Sequence, residues 1–340
     1  MRGLAAADLS IKRRWAVVLA AGDGTRLRPL TRLLYGEDLP KQFAAIDGER
    51  SLVQVTLDRL AARFPPERTV VVVGKSHEAV ARRQLRGYEG VDLVVQPRNL
   101  GTGPGLLLPL ARIRARDRRA QVAVFPADHF VSRPEPLLAG VESALDDAER
   151  PGLTLIGVQP DRPETEYGWI VPERGASGSV AAIQGVRRFV EKPDRALAEE
   201  LLRQGALWNT FICIGRLEEF WAAAFRQMPR VARLLERYTQ RVGRPDEGGV
   251  LERLYAPMEP ANFSRDVLEK EHALGVVTVK DSGWSDWGTP RRVFESLRGM
   301  RSGQHLLMRL AISRQAVAAL PEATPEHFAQ RGRAATLAQG

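Results

Sequence analysis

The sequence predicts an α/β fold, a doubly wound and mostly parallel sheet with an inserted extended region and a helical C-terminal tail. Three observations carry this. Short β-branched runs alternate with amphipathic helical stretches through the first half of the chain. Between Glu164 and Gly215 the texture changes to successive extended segments, and from Leu217 to Tyr255 helical periodicity takes over. A domain layout follows, with an N-terminal extension over 1–14, one large domain over 15–290 and a helical tail over 291–340.

In order, Trp15 to Ala21 predicts a strand, Leu52 to Phe64 a helix, Thr69 to Val73 a strand and His77 to Arg86 a helix. Val91 to Gln96 and Gln121 to Phe125 predict strands on either side of a helix that begins near Gly103. Pro134 to Arg150 is expected to be helical, Leu153 to Val158 and Val186 to Val190 extended, with Pro193 opening a short helix. A late strand is expected at Leu274 to Lys280, with helix after Thr289. No internal repeat or low-complexity linker interrupts the pattern.

Composition excludes several classes. With 44% hydrophobic and 27% charged residues the 340-residue chain has the make-up of an ordinary globular protein and is not disordered. No apolar run approaches the roughly 18 residues needed to cross a bilayer, and Met1 to Arg14 lacks a signal-peptide pattern, so no membrane association is expected. A single cysteine, Cys213, excludes an internal disulfide framework and suits a reducing cytoplasm. The net charge of +9 raises nucleic acid as a partner. The densest basic run, Arg112, Arg114, Arg116, Arg118 and Arg119, spreads around a helix without interleaved aromatic residues. It is read as a solvated face, and no nucleic-acid partner is expected.

The first strand empties into Gly22, Asp23, Gly24, Thr25, Arg26 and Leu27, where glycines let backbone amides approach an anion. Leu27 stands where a dinucleotide fingerprint needs glycine or alanine, and the Gly-Lys-Ser/Thr ending of a P-loop is absent. Arg26, and one loop later Lys41 in Pro40-Lys41-Gln42-Phe43, would flank a phosphate chain. A plain glycine turn with surface cations fits these residues as well.

The strand at Val122 to Phe125 ends in Pro126, Ala127, Asp128 and His129, placing a carboxylate at the carboxyl edge of the sheet, where open α/β folds bind ligands. A lone aspartate there is most often a turn or cap residue. Asp286, in Trp284-Ser285-Asp286-Trp287-Gly288, is a second one after a late strand, and two such carboxylates can share one Mg²⁺. His129 is read as structural. Glu191 and Lys192 end another extended run and pair an acceptor with a cation, suited to a sugar hydroxyl and its phosphate or to an exposed strand end. Trp208, Asn209 and Thr210, and Tyr167, Gly168 and Trp169, add aromatic surface of the kind that suits sugar faces, although core packing is the default for each.

Taken in order, LAAGDGTRLRPLT with PKQF, then PADH, TEYGWI, FVEKPD, WNT, FSRDVLEK and WSDWG resemble the sugar-phosphate nucleotidyltransferases, most of all mannose-1-phosphate guanylyltransferases. The resemblance covers roughly residues 15 to 290 and implies a Rossmann-like nucleotidyltransferase fold. It also implies nucleotide contacts from Ala20, Ala21, Gly22, Gly24, Thr25, Arg26, Gln96, Gly101, Thr102 and Asp128, with Arg26 and Lys41 neutralising the leaving pyrophosphate. Asp128 and Asp286 would hold Mg²⁺, Lys192 the sugar phosphate, and Glu191, Asn209 and the Gly168 amide the sugar. The implied reaction joins a nucleoside triphosphate, GTP first, to a sugar 1-phosphate, mannose 1-phosphate first, in a protein that can be a homo-oligomer. The same reaction with UTP or dTTP and another hexose 1-phosphate, and a non-catalytic nucleotide-sugar-binding homologue, stand as alternatives. The chain departs from the family pattern in three places. Residues 98–105 read RNLGTGPG, not RNTAPAI; Phe211 stands where glycine commonly follows the WNT motif; and the tail lacks β-repeats.

Overall fold

The computed structural model describes residues 13–147, 150–173 and 182–311. Its strands are β1 (Arg14–Leu19), β2 (Thr69–Gly74), β3 (Asp92–Gln96), β4 (Gln121–Pro126), β5 (Phe130–Val131) and β6 (Leu153–Val158). They continue with β7 (Gly168–Pro172), β8 (Ile183–Glu191), β9 (Leu207–Arg216), β10 (Leu274–Val279) and β11 (Trp284–Ser285). The expected strands and helices are all present, within a few residues of their predicted ends. The helix expected from Pro134 ends at Asp146, and the short helix after Pro193 spans Arg195–Arg203. Its start is set by Asp194, whose carboxylate accepts the Leu197 amide at 2.8 Å and so caps one of the first turn's unpaired donors. The sequence expectations for residues 1–12 and 312–340 lie outside the described residues.

The Cα packing divides the chain into two compact units. The larger takes in the described residues of 13–22, 56–127 and 131–284 and contains a nine-stranded sheet in the order β3-β2-β1-β4-β9-β6-β10-β8-β7. β3, β2, β1 and β4 run parallel, as do β6 and β10. These are the strands separated by helical crossovers, and a parallel neighbour requires such a crossover. Every antiparallel pairing in the sheet involves β7, β8 or β9. Those three strands make up the 164–215 region that the sequence sets apart. β2 is buried along its whole length, as a valine run must be in a sheet covered on both faces. The helix Thr102–Arg116 is buried from Gly103 to Ala111 and joins one continuous core with Trp15, Val70, Val72, Phe220, Trp221 and Tyr255.

Of the arginine run, Arg116, Arg118 and Arg119 are exposed as expected, the last two beyond the helix end, whereas Arg112 and Arg114 depart from the solvated reading. Arg112 is half-buried and donates to both oxygens of Asp92, at 2.8 and 3.1 Å, and to Glu247. Burial opposes its charge, but hydrogen bonds to Asp92 and Tyr238 outweigh that and hold its pKa above the usual value. Arg114 lies over the Trp221 ring at 5.0 Å and Arg116 over Trp15 at 4.6 Å, so their stems cover apolar surface while their heads remain polar.

The described residues of the smaller unit are 23–55, 128–130 and 285–311. Its core is Leu27, Leu30, Ala44, Ile46, Leu52, Phe130, Trp287, Val293, Leu297, Leu306 and Leu310, with Phe130 and Trp287 stacked at 4.5 Å. The helix Arg301–Ala311 is fastened to it by polar contacts as well. Arg309 donates to the Ala45 carbonyl at 2.7 Å and lies over Tyr35, whose hydroxyl receives the Ala45 amide at 2.7 Å.

Candidate functional site

The smaller unit brings the sequence-predicted residues Arg26, Lys41, Asp128 and Asp286 into one chain of contacts. Gly24 adopts the left-handed φ of +57°, and a Cβ there would lie 3.0 Å from the Lys41 amide, so both the turn and the close approach need glycine. The chain then enters a short 3-10 turn, Thr25–Leu27, whose leading amides are of the kind that faces an anion. Pro40 precedes a second such turn, Lys41–Phe43, in which all three side chains are buried. A buried lysine must be paired. Lys41 meets that demand by donating to the Asp286 backbone carbonyl at 2.6 Å and by an ion pair with Asp128 Oδ2 at 3.0 Å. Asp128 and Asp286 thereby contact the same Nζ. His129 Nε2 is 3.8 Å from Asp128 Oδ1.

The Asp286 carboxylate is itself buried and held from three directions. Arg292 Nη1 donates to Oδ1 at 2.9 Å and to Oδ2 at 3.2 Å, the Gly288 amide donates to Oδ1 at 2.8 Å, and Arg26 Nη2 is 3.7 Å from Oδ2. A Cβ on Gly288 would fall 2.5 Å from Oδ2, 2.8 Å from Arg292 and 3.2 Å from Arg26, so only glycine leaves this oxygen its space. Arg292 was not legible in the sequence. It sits beside Arg291 in the helix Pro290–Ser296, and nothing in the dipeptide says which arginine turns inward.

In the larger unit, Gly168, Glu191 and Asn209 converge. Gly168 pairs with Glu191 across β7 and β8, and a Cβ on Gly168 would meet Glu191 Oε2 and the Phe189 ring at 2.9 Å and Asn209 Cβ at 3.3 Å. Burial pushes the Glu191 pKa up; Lys192 and a Ser264 hydrogen bond oppose this and Glu269 adds to it. The Glu191 amide donates to Glu269 Oε1 at 2.6 Å. Ser264 and Glu269 belong to FSRDVLEK, where a five-residue π-helix, Ser264–Leu268, interrupts regular geometry in the way that often marks functional sites. Lys192 leaves β8 with a left-handed φ of 49°, its side chain half exposed and 3.4 Å from Glu166. Tyr167 packs edge-on against Trp208 and Trp284 at 5.0 and 5.3 Å.

The remaining predicted residues lie at strand ends and turns of the same unit. Ala20 donates to Val72 at 2.9 Å and leads through Ala21 to Gly22, around whose Cα nothing would crowd a side chain. Gln96 is buried at the end of β3 and accepts from the Tyr255 hydroxyl at 3.4 Å. Gly101 has φ +86°, and a Cβ there would lie 2.6 Å from the Ala261 carbonyl. The Thr102 hydroxyl receives the Phe263 amide at 2.8 Å. Residues 98–105 are thus clamped against 261–263.

The family model for nucleotidyl transferases matches residues 15–302. The chain belongs to the nucleotidyl transferase family. Mannose-1-phosphate guanylyltransferase of Escherichia coli (strain K12) is 29% identical to this nucleotidyl transferase over 83% of this chain and 59% of the relative's own length. Alginate biosynthesis protein AlgA of Pseudomonas fluorescens is 31% identical over 80% of this chain and 56% of its own. The chain therefore spans less than two thirds of these curated relatives. A crystal structure from Thermus thermophilus, described as a mannose-1-phosphate geranyltransferase, superimposes with a TM-score of 0.72. It is 33% identical and covers 83% of this chain and 79% of its own. Among the described residues of this nucleotidyl transferase, no helix is long and apolar enough to cross a membrane.

Proposed function

We propose that the chain transfers GMP from GTP to mannose 1-phosphate, giving a nucleotide sugar and pyrophosphate. The observation that carries this is the placement of the Lys41 ammonium between the Asp128 carboxylate and the Asp286 carbonyl, with the Asp286 carboxylate fixed by two arginines. A non-catalytic nucleotide-binding copy has no use for so costly a gathering of buried charge. The guanine and mannose assignments rest on the PKQF, PADH and WSDWG motifs and on what the similar proteins are named.

The donor set fits a Mg²⁺ ion, because this cation is commonly bound by one or two carboxylates together with phosphate oxygens, and Asp128 and Asp286 both lie against Lys41. Bound there through Asp128 and Asp286, it supplies a Lewis acid for phosphate oxygens. The protein's own groups do the rest. Amides of the Gly22 to Arg26 turn hold the triphosphate, Ala20 and Ala21 are assigned to the nucleotide, and Arg26 and Lys41 offset charge that grows on the departing pyrophosphate. Gln96, Gly101 and Thr102 are assigned to the nucleotide. Lys192 holds the sugar phosphate, while Glu191, Asn209 and the Gly168 amide orient the sugar. A sugar-phosphate oxygen attacks the α-phosphorus in line as the bond to the β-phosphate oxygen breaks, so no covalent nucleophile is needed. The lone, buried Cys213 supports a cytoplasmic setting.

A panel of GTP, UTP, dTTP, ATP and CTP with mannose, glucose and N-acetylglucosamine 1-phosphates, read by pyrophosphate release, tests the assignment. Turnover is expected with GTP and mannose 1-phosphate. Release with UTP or dTTP but not GTP selects the alternative base, and no release with any pair leaves only nucleotide-sugar binding.

A further inference from the structure

We infer that Glu269 is a positioning residue for the sugar end of the site, holding the backbone of Glu191 and with it the turn that carries Lys192. The inference rests on the proposed function only in taking Glu191 and Lys192 as contacts to the sugar 1-phosphate. Backbone amides along a strand need acceptors on both of its edges. β10 pairs with β8 only over Ile183 to Gly185, so among the described residues the far end of β8 is paired to β7 alone. There the Glu191 amide donates to Glu269 Oε1 at 2.6 Å, and the Lys192 amide donates to the Tyr167 carbonyl at 3.1 Å. Lys192 is left-handed, with φ 49°, a conformation that persists in a residue with a Cβ only where its surroundings fix it. Glu269 supplies one of the two bonds on either side of that strained point.

Glu269 can serve as an anchor because its own turn is fixed. Its amide donates to the Ser264 carbonyl at 3.0 Å, the Asn262 amide donates to Asp266 Oδ2 at 2.6 Å, and Val267 and Leu268 are buried in the core. From the same turn the buried Ser264 hydrogen-bonds the Glu191 carboxyl group. Stability alone is a poor reason for a carboxylate at this position. A neutral acceptor would satisfy the amide, whereas Glu269 adds its charge to the burial that already disfavours ionised Glu191. Placement is a sufficient reason. A carboxylate accepts a stronger hydrogen bond than a neutral group, and a binding group displaced by about 1 Å can cost roughly a hundredfold.

Calorimetric titration with mannose, glucose and N-acetylglucosamine 1-phosphates, with and without Mg²⁺ and a non-hydrolysable GTP analogue, reads the sugar end without turnover. Titration with GTP reads the nucleotide end. Relative to wild type, Glu269→Ala is expected to weaken binding of the accepted hexose 1-phosphate at least tenfold and to raise its KM alike, with GTP affinity and kcat within twofold. Glu269→Gln, which keeps an oxygen acceptor at the same reach, is expected to fall between the two. Hexose 1-phosphate affinity within twofold of wild type in folded Glu269→Ala overturns the inference, as does an equal loss of GTP affinity, which marks a general structural role. Should that variant not fold, Glu269→Asp, one methylene short of the Glu191 amide, takes its place with the same expectation and the same refutation. Wild-type protein that binds a hexose 1-phosphate but releases no pyrophosphate sinks the proposed reaction and leaves the affinity comparison to decide the role of Glu269. Wild-type protein that binds none of the three overturns both.

Discussion

Lys41 is the residue on which the candidate phosphate site turns, because its one ammonium satisfies both an aspartate side chain and another aspartate's backbone. Lys41→Met keeps much of the buried stem and removes the charge. It is expected to lower kcat by roughly 10²–10³-fold, the range for deleting one preorganised electrostatic partner, with the far-UV spectrum unchanged. Gly288→Ala places a methyl 2.5 Å from Asp286 Oδ2 and is expected to weaken divalent-cation activation while leaving KM for the sugar 1-phosphate near wild type, as titration of Mg²⁺ against rate would read.

Glu191 gives a pH signature. Its folded pKa lies above the value of 4.5 usual for glutamate, so the folded protein holds the proton more tightly than the unfolded chain. Stability from this group is therefore fully present below the unfolded pKa and is lost as pH rises through the folded one. Glu191→Gln should raise the melting temperature at pH 7.5 relative to wild type and lose that advantage near pH 4. It should also raise KM for the sugar phosphate, a trade of stability for function. A melting difference that is flat across pH contradicts the burial of its charge.

At this scale the sequence singles out Arg26 behind a glycine turn, Asp128 and Asp286 behind strand ends, where function concentrates in open sheets, and Lys41 one loop beyond Arg26, and the structure places all four in one compact unit. Arg292 is not singled out, because its role depends on helix phase. The Thr289 cap turns Arg291 outward to Glu295, at 2.8 Å, and Arg292 inward, and no spacing rule distinguishes two adjacent arginines.

Among elements, the strands and crossovers were readable from periodicity, whereas the insertion of β9 between β4 and β6 was not. A run such as Leu207 to Arg216 announces a strand but carries no record of its neighbours. The clamp between 98–105 and 261–263 is equally hidden, joining segments about 160 residues apart through Gly101, Gly103 and Thr102. Gly101→Ala combines a positive φ with a 2.6 Å approach to the Ala261 carbonyl. The left-handed conformation alone costs a residue with a Cβ about 1–2 kcal/mol, and the clash adds to it. The variant is expected to melt several degrees lower and to bind nucleotide more weakly, read by calorimetry and by titration with GTP. Unchanged nucleotide affinity would detach this segment from the proposed base contacts.

For the molecule as a whole, the order of motifs foretold the family, and among the described residues no helix is long and apolar enough to cross a membrane. The division into two compact units was not visible, because the smaller one is assembled from three separated stretches of chain. Its core depends on Leu306 and Leu310 of the helix Arg301–Ala311, nearly all of which lies past the 15–302 family match. Leu306→Ala, at a fully buried position, is expected to cost about 2–5 kcal/mol. Because Lys41 and Asp286 belong to that same unit, activity should fall at temperatures where the wild type is still active.

The most direct measurement is Mg²⁺-dependent pyrophosphate release from GTP and mannose 1-phosphate by wild-type protein and by Asp128→Ala and Asp286→Ala. Turnover in the wild type that drops at least a hundredfold in both folded variants is the expected result. Turnover that survives in either variant, or that needs no divalent cation, contradicts the joint role of these two carboxylates.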